Sequence, residues 1–175
     1  RFVPVTVKPS VAQAAMIGNP VSMPRVIRLV DRYNRFAGRQ RVHVVEVVEQ
    51  DIMDWQLLAN RNGHIVCTHG GESLAGLRTA LKQGLVDSNA TAIVDSTAHA
   101  LKFSGFQDMY FQGSFPEEFA VQPKAALVNH PQYVHPEHLE QVPAPGKPLD
   151  EEAFTSFVNA VSQEIAKTLG LKKKR

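Results

Sequence analysis

The sequence predicts an α/β protein: an open, mostly parallel sheet with flanking helices. Two stretches, Gly63–Leu85 and Ala92–Phe103, each read as a short apolar strand that ends in small and polar residues and then turns into a helix. A third stretch, Arg41–Val48 (RVHVVEVV), carries two adjacent valine pairs, a pattern expected of a strand buried on more than one side.

The elements follow in order. Arg1–Val7 is rich in β-branched residues, but Pro4 confines it to a sheet edge or a connection. Val11–Ile17 is long enough only for a brief helix, which stops at Gly18. After the polar loop Asn19–Pro24, a helix is expected over Pro24–Ala37. Its Val26, Ile27, Leu29, Val30, Tyr33 and Phe36 share one face, and its charges form a solvated one. The strand Arg41–Val48 precedes a helix over Asp51–Asn60, whose Ile52, Trp55 and Leu58 are spaced to face the sheet. His64–Thr68 is the next strand, Glu72–Leu85 the next helix, and Ala92–Asp95 the third strand.

Beyond Phe103 the alternation ends. Residues 1–105 are assigned to the α/β part, 106–148 to an irregular strap, 149–171 to a C-terminal helix and 172–175 to a basic tail. Phe106–Phe119 is aromatic-rich and irregular, and Pro123–Pro148 holds six of the 11 prolines. Ala125, Leu127, Val128, Tyr133 and Val134 argue that the strap is docked. Asp150 is placed to cap a helix running to about Leu169, with Phe154, Phe157, Val158, Val161 and Ile165 as its apolar stripe.

Composition narrows the function classes. With 43% hydrophobic and 21% charged residues among 175, the chain is an ordinary globular one. Its formal charge of +2 owes much to Lys172–Arg175, which reads as a solvated tail, so no nucleic-acid partner is expected. No apolar run is long enough for a membrane span, and none resembles a signal peptide. The lone Cys67 forms no internal disulfide and suits a reducing, cytoplasmic compartment. His130, His135 and His138 lie close in sequence, but prolines separate them and no cysteine or acidic partner completes a metal set. The chain begins Arg1-Phe2-Val3 without methionine, which is expected of a cleaved piece or an excised domain.

Three ordered stretches carry a family resemblance: Ile17-Gly18-Asn19-Pro20-Val21-Ser22, then CTHGGESLAGLRTALKQGLVD from Cys67, then IVDSTAHALKF from Ile93. Together they resemble the C-terminal part of the large domain of threonine synthases, pyridoxal-phosphate enzymes of the tryptophan-synthase β fold type. The resemblance spans roughly Val7–Phe103. It implies pyridoxal 5'-phosphate as cofactor and O-phosphohomoserine as substrate, converted with water to threonine and phosphate. The cofactor lysine would lie upstream, on a missing N-terminal half of the enzyme, leaving this fragment alone inactive. A homodimer is also open. So are a cysteate-synthase-like enzyme acting on phosphoserine and a non-catalytic binding or regulatory module that retains half of the fold.

Such a cofactor needs a lysine, backbone N–H groups around its phosphate, and a group facing its ring nitrogen. The resemblance assigns the last role to the Thr97 hydroxyl. The residues agree, since Thr97 ends a strand between the small Ser96 and Ala98, although capping the next helix would explain it as well. Ser96 and His99 fall in the same turn, where His99 either shapes the pocket or serves as a structural group. Lys102 is not expected to bind the cofactor. Gly70 and Gly71 are read as a turn lining the ring-nitrogen side, and Glu72 as stabilised by a helix N-terminus. Asn19 and Ser22 are expected either to border the substrate cleft or only to form a turn and cap.

Overall fold

The computed structural model describes residues 2–129, 133–134, 136 and 138–172. His130, His135, Lys173, Lys174 and Arg175 therefore lie outside the described residues. Two compact units divide the chain, Arg1–Asn129 and His130–Arg175.

Among the described residues there is no β-sheet, which corrects the expected open parallel α/β architecture. Helices dominate: α1 (Met23–Phe36), α2 (Glu49–Arg61), α3 (Thr68–Lys82), α4 (Ser104–Gln112) and α5 (Glu151–Thr168). Short 3₁₀ turns occupy Gln13–Ala15, Ala100–Phe103 and Glu117–Phe119. The three segments expected to be strands have no ladder. Among the described residues of the first unit the only bridge joins Val66 to His99, and it is antiparallel. The backbone of residues 43–47 and 91–96 bonds to no described residue. Alternating and paired valines favour an extended backbone locally, but a sheet also needs a neighbour about 4.8 Å away, and that is a non-local condition.

The core of the first unit is built on α2. Ile52, Met53 and Leu57 are buried with Val11, Ala12, Tyr110 and Val121, and Phe106, Phe111, Leu127 and Val128 pack against them. Within α2, Asp54 is only 8% exposed, and its carboxylate accepts hydrogen bonds from Tyr110 Oη at 2.7 Å and Gln50 Nε2 at 2.8 Å. Lys124 completes the set with an ion pair to the second oxygen. The Lys124 backbone N–H in turn donates to Tyr110 Oη at 3.0 Å. Gln50 clasps Gln122 through both its amide atoms, and Arg61 donates to the Ala126 carbonyl. The segment 122–126 is thus laced along α2, which accounts for the docking of Leu127 and Val128.

The irregular reading of 106–119 is corrected in its first half, where α4 forms. Phe106 and Tyr110, one turn apart, give α4 a face toward α2, and Gly113 ends the helix with φ 65°, a left-handed value that costs glycine little. Phe106, Phe115 and Phe119 then close on one another with ring centroids 5.7–6.1 Å apart.

Helices α2 and α3 pack through glycine. A Cβ on Gly71 would lie 2.4 Å from the Ile52 carbonyl oxygen and 2.8 Å from Gln56 Cβ, distances that no side chain tolerates. Gly70 and Gly71 therefore sit inside the first turn of α3, which starts at Thr68 rather than Glu72. In the second unit, the Asp150 carboxylate caps α5 by accepting from Ala153 N–H at 2.8 Å. No helix among the described residues is long and apolar enough to cross a membrane.

Gly71→Ala is expected to push α2 and α3 apart and to destabilise the first unit by about 1–3 kcal/mol, measured by urea unfolding. Burial first, then the Asp54 carboxylate, push the Tyr110 hydroxyl up to about 12. An unfolded tyrosine titrates near 10, so the Tyr110 contribution is complete below about pH 10 and is lost as the pH rises toward 12. Tyr110→Phe should lower stability by roughly 2 kcal/mol at neutral pH. It should also flatten the fall of the unfolding midpoint across that alkaline window.

Candidate functional site

The first turn of α3 gathers the candidate site. Cys67 stands at the helix N-cap with an extended backbone (ψ 179°), fully buried, and its N–H donates to the Ala98 carbonyl at 3.0 Å. That bond and the Val66–His99 bridge bring Thr97 alongside, and Cys67 Sγ lies 3.8 Å from Thr97 Oγ1. On its other side the sulfur is 3.8 Å from His69 Nδ1.

His69 links a third stretch. The Ala14 N–H donates to His69 Nε2 at 3.1 Å, so that nitrogen must be unprotonated. The neutral ring then carries its proton on Nδ1, directed to the sulfur. The His69 ring also stands 5.3 Å from that of Phe103. The brief turn at Gln13–Ala15, the start of α3 and the Thr97 segment therefore meet at one cluster.

The cluster favours the thiolate. Burial raises the Cys67 pKa, but the backbone of Gly70, the Thr97 hydroxyl and the backbone of His69 and Ala98 outweigh it, and the net direction is downward. A sulfur at a helix N-terminus also gains from the unsatisfied N–H groups and the helix dipole. Thr68 Oγ1 and Gln56 Oε1, both buried, have no partner among the described residues.

The other expected residues are distributed as follows. Gly70 and Ser96 line a cavity of about 550 Å³ with Trp55, His64, Leu74 and Val94. His99 Nδ1 accepts from the Leu101 N–H at 3.2 Å, which caps the following turn. Lys102 lies over the Phe103 ring at 5.5 Å. Gly71 faces α2. Asn19 and Ser22 are exposed, and the Ser22 carbonyl rather than its hydroxyl serves the start of α1. Glu72 is half-buried in α3.

Sequence reasoning missed Cys67 and His69 as a functional pair. The signal was present: a cysteine and a histidine two residues apart, opening a helix.

Among the described residues Cys67 is the only cysteine, so its thiolate absorbance, taken as the difference from Cys67→Ser, reports one group. The titration midpoint is expected below 9.0. Thr97→Val, which removes one of the stabilising hydrogen bonds, should move it upward.

No family model matches the chain. Threonine synthase 2, chloroplastic, of Arabidopsis thaliana is 34% identical over 103 residues, 59% of this chain and 19% of the relative. The threonine synthase of Methanocaldococcus jannaschii is 31% identical over 93 residues, 53% of this chain and 22% of the relative. The likeness to threonine synthases expected from the sequence therefore stands, over more than half of this chain and about a fifth of the length of the relatives it matches.

Proposed function

We propose that this chain is the C-terminal portion of a threonine synthase-like lyase that converts O-phosphohomoserine and water to threonine and phosphate. The observation that carries the reading is convergence. Residues from two of the resembling stretches meet at the start of α3 through the Cys67–Thr97 contact, and Ala14, three residues before the remaining stretch, joins them through its hydrogen bond to His69.

Threonine synthases are generally pyridoxal-phosphate enzymes. The donor set here suits one edge of that cofactor. Thr97 offers a neutral, exposed hydroxyl whose side-chain partner among the described residues is a sulfur 3.8 Å away, a weak one. Ser96 and Ala98 beside it are small enough for a flat ring to approach. In this reading Thr97 holds the ring nitrogen, and His99, fixed by its own cap, borders the same turn. Bound there, the cofactor would supply the electron sink for eliminating phosphate and adding water. In this reading the lysine that holds it lies upstream, in a further part of the enzyme, as the resemblance implies; Lys102 rests on Phe103.

The test is a chimera of the Arabidopsis enzyme in which the 103-residue matching stretch is replaced by this chain's residues. The chimera is expected to bind pyridoxal phosphate with a visible absorption band that Thr97→Val weakens or shifts. This chain alone should give no saturable lysine label after borohydride reduction. Specific labelling of Lys102 in the chain alone, or a band indifferent to Thr97→Val, overturns the assignment.

A further inference from the structure

The most exposed apolar helix face of the first unit belongs to α1. Its sequence, MPRVIRLVDRYNRF, divides cleanly: Val26, Ile27, Leu29, Val30, Tyr33 and Phe36 fill one half, and four arginines with one aspartate fill the other. No residue of α1 is buried, and Phe36 is 89% exposed. The apolar half opens into a groove of about 560 Å³ lined by Leu29, Val30, Arg32, Tyr33, Phe36 and Val42. Residues 43–47 follow the last lining residue, Val42, in the chain; there Val44 is 90% exposed and the backbone is unbonded to any described residue.

We infer that α1 and the adjoining extended segment are a docking surface for another polypeptide, one that presents an apolar groove with an acidic margin. The charge pattern sets the margin: Arg32 lines the groove itself, and Arg25, Arg28 and Arg35 beside it stand against a single Asp31, so carboxylates at the partner's edge match this side. A lipid surface would suit α1 taken alone, but it cannot satisfy the free N–H and C=O groups of residues 43–47, whereas a protein can. The inference rests on the reading above, which identifies the partner as the rest of a threonine synthase-like enzyme. That is consistent with a chain spanning about a fifth of its relatives' length.

The full chain, tagged, is co-expressed with Arabidopsis threonine synthase 2 lacking the 103-residue matching stretch, and with the intact relative as a control. The truncated relative should co-purify, and the intact one, whose own segment fills the place, should not. Phe36→Asp and Leu29→Asp, both on exposed positions, are expected to weaken the complex at least tenfold while leaving the helical circular dichroism unchanged. Arg28→Glu should weaken it too, and so should added salt. No retention of the truncated relative overturns the proposal, as does retention that survives Phe36→Asp. Phe36-dependent self-association, or Phe36-dependent sedimentation with phosphatidylserine vesicles, overturns it in favour of those occupants. The cofactor reading is judged separately: Thr97→Val should leave this complex intact, so either idea can fail without the other.

Discussion

A carboxylate taken out of water is tolerated only when donors replace the solvent it has lost, and the first unit is arranged around that requirement at Asp54. Losing one of its donors leaves that carboxylate partly uncompensated in its buried setting. The three donors come from three places in the chain: Gln50 one turn earlier on α2, Tyr110 on α4, and Lys124 in the segment that follows. Satisfying Asp54 therefore fixes α4 and residues 122–126 against α2 together. Phe115 and Phe119 lie on the chain between Tyr110 and Lys124 and close on Phe106 of α4, which is why an aromatic-rich stretch is ordered rather than loose.

The opposite flank of α2 depends on the absence of a side chain. Because Gly71 lets α3 approach the Ile52 carbonyl, the start of α3 is held close to α2, and Gln56 Nε2 donates to the Val66 carbonyl at 3.2 Å. Asn60 Oδ1 accepts from the Val66 N–H at 2.9 Å on the same short link. Cys67 is thereby set at the helix N-terminus, and the two contacts of its sulfur follow. Cys67 and His69 are thus a consequence of helix packing, held on the α2–α3 pair, whereas Thr97 is brought in from the segment between α3 and α4 by the Cys67 N–H bond to Ala98.

The remaining surface has a different character. Val44 and Ile93 are 90% and 99% exposed on segments without ladder partners, and α1 turns its apolar half outward. The α1 side chains that line one groove with Val42 form a patch of the kind that marks an interaction surface. The polar, well-packed α2 flank and the apolar, unpartnered α1 flank belong to the same unit, and the contrast between them supports a division between a self-sufficient core and a docking side.

How much was legible beforehand differs by the range of the interaction involved. The helices over α1, α2 and α5 and the Asp150 cap are set by periodicity and residue type within a turn or two. The sequence by itself determined them. The likeness to threonine synthases was legible for a related reason, since it resides in short ordered stretches. Whether the extended segments pair into a sheet was decided by tertiary structure, because each strand needs an edge that its own residues do not encode. Helix α4 was obscured by the aromatic composition around it, and Gly70-Gly71 looked like a turn because glycine usually breaks helices. Here it permits two helices to touch. The cluster of Ala14, Cys67, His69 and Thr97 joins residues up to 83 positions apart. No local pattern contains such a separation, and only packing could bring them together.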